Sequence, residues 1–142
     1  MPYVSGEKGK LIEELRNKSL SEYRRGNEEE ATCTLEAAWE EIPDEKTMYS
    51  ESFLIVSYIL TIAIKKHDIA RLKKWGELIL ICDLERYDCG ERECWMGKVE
   101  YELGNFESAR KYFDIGVKKS KGGRCFGGND GKFHSFYFDE NK

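Results

Sequence analysis

The stretch from Gly97 to Val117, GKVEYELGNFESARKYFDIGV, constrains the fold more than any other part of the chain. Phe106, Ala109, Tyr112, Phe113 and Gly116 recur at three- and four-residue steps, the period of a helix with one buried face. Before them, Gly97, Tyr101 and Leu103 sit among charges on an expected first helix. Gly104-Asn105 separates the two. Gly104 allows a sharp reversal. Asn105 can accept a hydrogen bond from the free amides that open the second helix. Small residues at Gly97, Ala109 and Gly116 would let the helices approach closely, with Tyr101 and Phe113 filling the space between them. The unit reads as a helical hairpin.

The same run occurs earlier. Tyr23, Gly26, Asn27, Ala31, Leu35 and Ala38 match Tyr101, Gly104, Asn105, Ala109, Phe113 and Gly116 at a constant offset of 78 positions. That offset is two units of about 39 residues, close to the range of helical repeats. A middle unit should therefore lie between them. Phe53, Ile55, Val56, Ile59, Leu60, Ala63 and Ile64 predict a strongly apolar central helix. His67-Asp68 breaks it, with Asp68 as cap, and Ile69, Leu72, Trp75, Leu78, Ile79 and Cys82 form the next apolar face. In the first unit, Leu11, Ile12, Leu15 and Tyr23 predict a helix over 7–25, and Asn27 with Glu30 reads as a capping box. Asp88 with Glu91 should open the helix that leads into Gly97.

Gly97, Tyr101, Leu103-Gly104-Asn105-Phe106, Ala109 and Phe113 together resemble a tetratricopeptide repeat. Gly116 stands where that family usually has alanine, and Pro43 falls where it often places its closing proline. The resemblance implies one all-α domain over 1–142 made of three stacked antiparallel helical hairpins, at about 7–43, 48–86 and 88–120. After Lys121 the periodicity fails. Gly122-Gly123 and Gly127 to Gly131 are turn-forming. Phe133, Phe136, Tyr137 and Phe138 are too apolar for a free tail, so 121–142 should form a short, helical capping segment.

Net charge is −4 over 142 residues and unevenly spread. Residues 1–64 hold 7 Lys and Arg against 13 Asp and Glu; residues 65–125 hold 14 against 11. The acidic balance disfavours nucleic acid. The basic run Lys65, Lys66, Arg71, Lys73 and Lys74 reads as a solvated junction balanced by nearby acids. Residues 1–10 lack an apolar segment and no run is long enough to span a bilayer, so neither a signal peptide nor a membrane partner is expected. Cys33, Cys82, Cys89, Cys94 and Cys125 are odd in number without a framework spacing, which suggests unpaired thiols in a reducing cytoplasm. Cys89 and Cys94 are too far apart for the usual zinc pairs, so no metal is expected. The glycine-rich tail lacks the phosphate-loop order, since Phe stands at 126 and Phe133 follows Gly131-Lys132. His67 and His134 have no nucleophile pattern around them. Neither catalysis nor a cofactor is expected.

Helical repeats bind proteins along the concave side formed by the first helix of each hairpin. By the family's register, the partner-binding residues fall at Glu13, Arg16 and Tyr23, at Ser57 and Thr61, and at Glu91, Lys98 and Glu102, and Tyr101 joins them as the first-helix site equivalent to Tyr23. Of these, Glu13, Glu91 and Glu102 are expected to be exposed. Tyr23 and Tyr101 are either aromatic anchors or core. A clamp for the carboxylate tails of chaperones would need several basic groove positions, and the acids dilute Arg16 and Lys98. The whole-chain pattern, with Ala38-Trp39, Ile42-Pro43 and the ending KKSKGGRCFGGNDGKF, resembles small bacterial immunity proteins that block a polymorphic toxin. That resemblance implies a non-catalytic cytoplasmic protein binding a basic toxin domain. The alternative is an adaptor that takes peptide segments.

Overall fold

In a computed structural model, which describes residues 3–121, 125–128 and 130–139, every regular element is helical. The α-helices are α1 (Gly6–Arg24), α2 (Glu28–Glu41), α3 (Ser50–Lys66), α4 (Ile69–Gly76), α5 (Glu91–Glu102), α6 (Phe106–Ser120) and α7 (Gly131–Asp139). Short 3-10 turns occupy Lys46–Met48 and Glu77–Leu80. No described helix is long and apolar enough to cross a membrane. Gly122, Gly123 and Asn129 of the expected glycine-rich turns, and 140–142 of the expected capping tail, lie outside the described residues.

Helix α1 packs on α2, and α5 on α6; α3 lies against both α2 and α4. The central place of α3 follows from its composition. Phe53, Ile55, Val56, Ile59, Leu60, Ile62 and Ala63 are buried around its circumference, so it needs neighbours on more than one side. They join Ile12, Leu35, Leu72, Trp75 and Ile79 in the main core, where Trp39 meets Trp75 edge to face at 5.3 Å. A second core gathers Ala109, Phe113, Phe133 and Phe136 around α5, α6 and α7.

The turns between paired helices share one hydrogen-bond pattern. Gly26 N donates to Tyr23 O at 3.0 Å and Asn27 N to Glu22 O at 2.9 Å. Seventy-eight positions on, Gly104 N donates to Tyr101 O at 3.0 Å and Asn105 N to Glu100 O at 2.8 Å. His67 and Asp68 repeat it with Ile64 O and Ala63 O, at 3.2 and 2.8 Å. The first residue of each turn is left-handed, with φ of 85°, 83° and, for His67, 54°. Glycine takes that conformation freely; histidine there is strained by about 1 kcal/mol.

Close approach between helices is visible at the small residues. A Cβ on Gly97 would come within 2.6 Å of the Phe113 ring. One on Gly116 would come within 2.6 Å of Cys94 Sγ and 2.8 Å of Cys125 Sγ.

Several local expectations need correction. Asn27 and Asn105 occupy N-cap positions, but neither side chain caps its helix. Asn105 Nδ2 donates instead to Glu100 Oε2 at 2.8 Å. Asp68 does cap, accepting from Arg71 N. Helix α5 starts after Gly90 (φ 86°) rather than at Asp88, whose carboxylate accepts from Gly90 N. The α4 helix stops at Gly76, short of the apolar face that runs to Cys82. A Cβ on Gly76 would meet Val99 at 2.8 Å, so α4 ends where it presses on α5.

Cysteine pairing is the largest correction. Cys94 and Cys125 form a disulfide across 31 positions, and both sulfurs are buried. Spacing along the chain could not reveal it, because the fold brings the segment before α7 back onto α5. Cys33, Cys82 and Cys89 are free thiols. Burial pushes the Cys82 thiol up to about 11, so it stays protonated near neutral pH.

Candidate functional site

A trough runs along α1, α3 and α5. At one end lies a hollow of about 520 Å³ lined by Lys10, Glu13, Arg16 and Asn17 of α1 and by Glu51 of α3. It shares Arg16 and Asn17 with an apolar hollow of about 290 Å³ between Leu20, Tyr23, Leu35, Tyr58 and Ile62. That hollow shares Tyr23 and Thr61 with a cleft of about 670 Å³, which reaches Trp95 and Lys98 of α5 and Asp130, Lys132 and Phe133 of the tail.

The sequence-predicted residues divide between trough and interior. Glu13 and Thr61 are exposed on the trough wall; Arg16, Tyr23 and Lys98 are half-buried in it. Ser57 is buried, its hydroxyl donating to Leu54 O at 2.8 Å, because the central helix has little open face. Tyr101 is half-buried beneath the rings of Phe106, Phe133 and Phe136, at 5.0 to 5.3 Å. Glu91 opens α5 and accepts from Arg86 at 3.0 Å. It does not line the trough.

Glu102 reverses the expectation of an exposed acid. It is buried, receiving His67 Nδ1 at 2.9 Å and the Lys132 ammonium. One carboxylate thus joins the end of α3, the end of α5 and the start of α7. A buried carboxylate needs such partners to offset the loss of water.

The trough is more cationic than the chain's net charge suggests, but most of its cations are already matched. Lys65 lies 5.1 Å above the Tyr23 ring and 2.7 Å from Glu28. Lys98 lies 4.8 Å above the Trp95 ring and 3.0 Å from Asp130. Arg16 differs: its buried Nε has no hydrogen-bond partner among the described residues. Sequence reasoning missed Leu20, Tyr58 and Trp95 as trough residues, although the register that selected Ser57 and Thr61 passes beside Tyr58. Nothing local could have placed Asp130 on Lys98.

Lys65, Lys66 and Arg71 of the basic run face α2, while Lys73 and Lys74 are exposed. Lys66 donates to Glu29 at 3.0 Å; Arg71 donates to Glu29 at 2.9 and 3.0 Å, to Glu36 at 3.1 Å and to Asp68 at 3.1 Å. Trp75 Nε1 also donates to Glu36, at 3.1 Å. These bonds join α2 to the end of α3 and to α4. Hydrogen bonds from Arg71 and then Lys66 hold the Glu29 carboxyl down to about 2. A depressed carboxyl contributes stability that is full above its unfolded value of 4.5 and lost as pH falls through about 2. Glu29 is itself largely exposed, so solvent screens most of that coupling, and Arg71→Ala should cost about 1 kcal/mol at neutral pH. It should also flatten the melting temperature against pH between 5 and 2. An unaltered acid profile in the variant would contradict this.

Among the described residues, no three His, Cys, Asp or Glu side chains gather in a way that could hold a metal ion. The chain matches no protein-family model, no curated protein and no solved structure.

Proposed function

We propose that this chain is a non-catalytic protein-binding module of three stacked, degenerate tetratricopeptide-like hairpins, and that its partner is a folded basic protein. The hydrogen-bond pattern shared by the turns at Gly26, His67 and Gly104 supports the repeat. The carrying observation for the partner is the acidic excess of the first helix pair and the loop that follows: Glu7, Glu13, Glu14, Glu30, Glu40, Asp44 and Glu45 are exposed there, against Lys8, Lys10, Lys18, Arg24 and Arg25. Such a surface steers a cationic partner on approach. A basic toxin domain fits, and the chain is then the immunity protein that blocks it in the cytoplasm of the producing cell. Burial of both sulfurs shields the Cys94–Cys125 bond from thiol reductants in that setting.

The test is co-expression with the C-terminal domain of a secreted toxin encoded beside this chain. A one-to-one complex, growth rescue and an intact immunity chain are expected. Reversing Glu13 and Glu14 to lysine should slow association and make the remaining rate less sensitive to salt. Glu102 has no place in that variant, since it is buried against Lys132.

A second reading has its own observation. The Arg16 Nε, beside the apolar hollow at Leu20 and Tyr58, is a buried donor with no acceptor among the described residues. It favours an adaptor that holds an extended segment in the trough. Against it, Lys65 and Lys98 already hold the chain's own carboxylates. Failure to bind or rescue with the toxin domain, together with binding of a short acidic peptide that Arg16→Ala abolishes, would replace the first reading with this one.

A further inference from the structure

Residues 45–49 and 81–87 meet at one edge of the molecule, where Asp83 N donates to Thr47 O at 2.8 Å. Both strands of this contact are built rather than loose. Glu45 and Asp83 adopt left-handed φ of 62° and 51°, which costs non-glycine residues on the order of 1 kcal/mol each. The buried Arg92 guanidinium donates to Cys82 O at 3.1 Å and also to Asp83 O. Arg86 stacks on Phe53 at 4.3 Å.

A loop held this firmly would ordinarily turn its apolar side chains inward. Here they face water: Met48 is 49% exposed, Ile81 49%, Leu84 65% and Tyr87 84%. The charges are sorted the other way. Lys46 donates to Glu40 O and Ile42 O, and Arg86 pairs with Glu91, while Asp44 and Glu45 are exposed. Asp88 is shared with Lys119 and adds little.

We propose that Met48, Ile81, Leu84 and Tyr87 form a docking surface for a folded protein that presents an apolar face edged with lysine or arginine. Four exposed apolar side chains on an ordered loop bind without a large ordering cost, and tyrosine is a frequent energetic anchor. The acidic residues beside them select a cationic rim. This surface lies outside the trough. It rests on the reading above only for the identity of the partner as a toxin domain.

The first probe is a synthetic helical peptide of lysine and leucine, titrated into the ¹⁵N-labelled full chain. Amide shifts should concentrate at 44–48 and 81–87, and a matched glutamate and leucine peptide should produce none there. Leu84→Ser with Tyr87→Ser changes two exposed side chains and should weaken the lysine peptide at least tenfold with an unchanged melting curve. Shifts centred on Tyr23, Thr61 and Lys98, or equal binding by the double variant, would overturn the surface. The toxin domain is the second probe. If it binds wild type and the double variant alike, the surface is wrong and the immunity reading stands. If it does not bind wild type while the lysine peptide maps to the loop, the immunity reading is wrong and the surface stands.

Discussion

Phe113→Ala is expected to destabilise the protein by about 3–5 kcal/mol, the range for truncating a fully buried aromatic ring. Phe113 has no exposed surface. Its ring fills the gap that Gly97 leaves open on α5, and it meets Phe126 at 5.3 Å, Phe133 at 6.0 Å and Phe136 at 6.3 Å. Removing it leaves a cavity that the rigid α5–α6 contact cannot close, and it strips α7 of the surface on which it rests. Urea denaturation of the two proteins measures the difference. A loss below about 1.5 kcal/mol would mean that the site collapses around alanine, against the packing described. Gly97→Ala is the complementary variant, since its methyl group would enter the Phe113 ring. Overpacking there should cost about 1–3 kcal/mol.

Opening the Cys94–Cys125 bond should cost roughly 2–4 kcal/mol, because it frees a loop of intermediate length in the unfolded chain. The bond ties α5 to the segment that leads into α7, and Gly116 on α6 makes room for both sulfurs. Its loss should act first on the seating of α7. Thermal melts with and without dithiothreitol should differ for wild type and coincide for Cys94→Ser with Cys125→Ser. Thiol titration of the unreduced, denatured chain should count three thiols, those of Cys33, Cys82 and Cys89. Five thiols, with identical melts, would contradict the bond.

The two variants also separate kinds of information in the chain. The position of Phe113 opposite a small residue was readable, because an i, i+3, i+4 pattern around Gly104-Asn105 records which face of a helix must be buried. The matching turn at Gly26-Asn27 was readable for the same reason, and so was the all-helical class. Capping was read less well: Asn27 and Asn105 stand at the right positions, yet their turns are closed by backbone bonds, so the side chains are spared.

The trough was half legible. The register carried over from the resembling family named Glu13, Arg16, Tyr23, Thr61 and Lys98, and all five line the trough. Register could not tell that Glu102 would be drawn inside by His67 and Lys132, or that Ser57 would be covered. Those outcomes depend on which helices lie across that face.

Helical periodicity and glycine turns are properties of neighbouring residues, so the sequence by itself determined the helices, the turns at 26–27, 67–68 and 104–105, and most of the core. Tertiary structure alone decided the Cys94–Cys125 pairing, the Arg71 cluster on Glu29 and Glu36, and the Thr47–Asp83 contact beside the exposed Leu84 and Tyr87. Each of these joins residues about thirty or more positions apart, and no local pattern encodes which distant segment the packed helices bring within bonding distance.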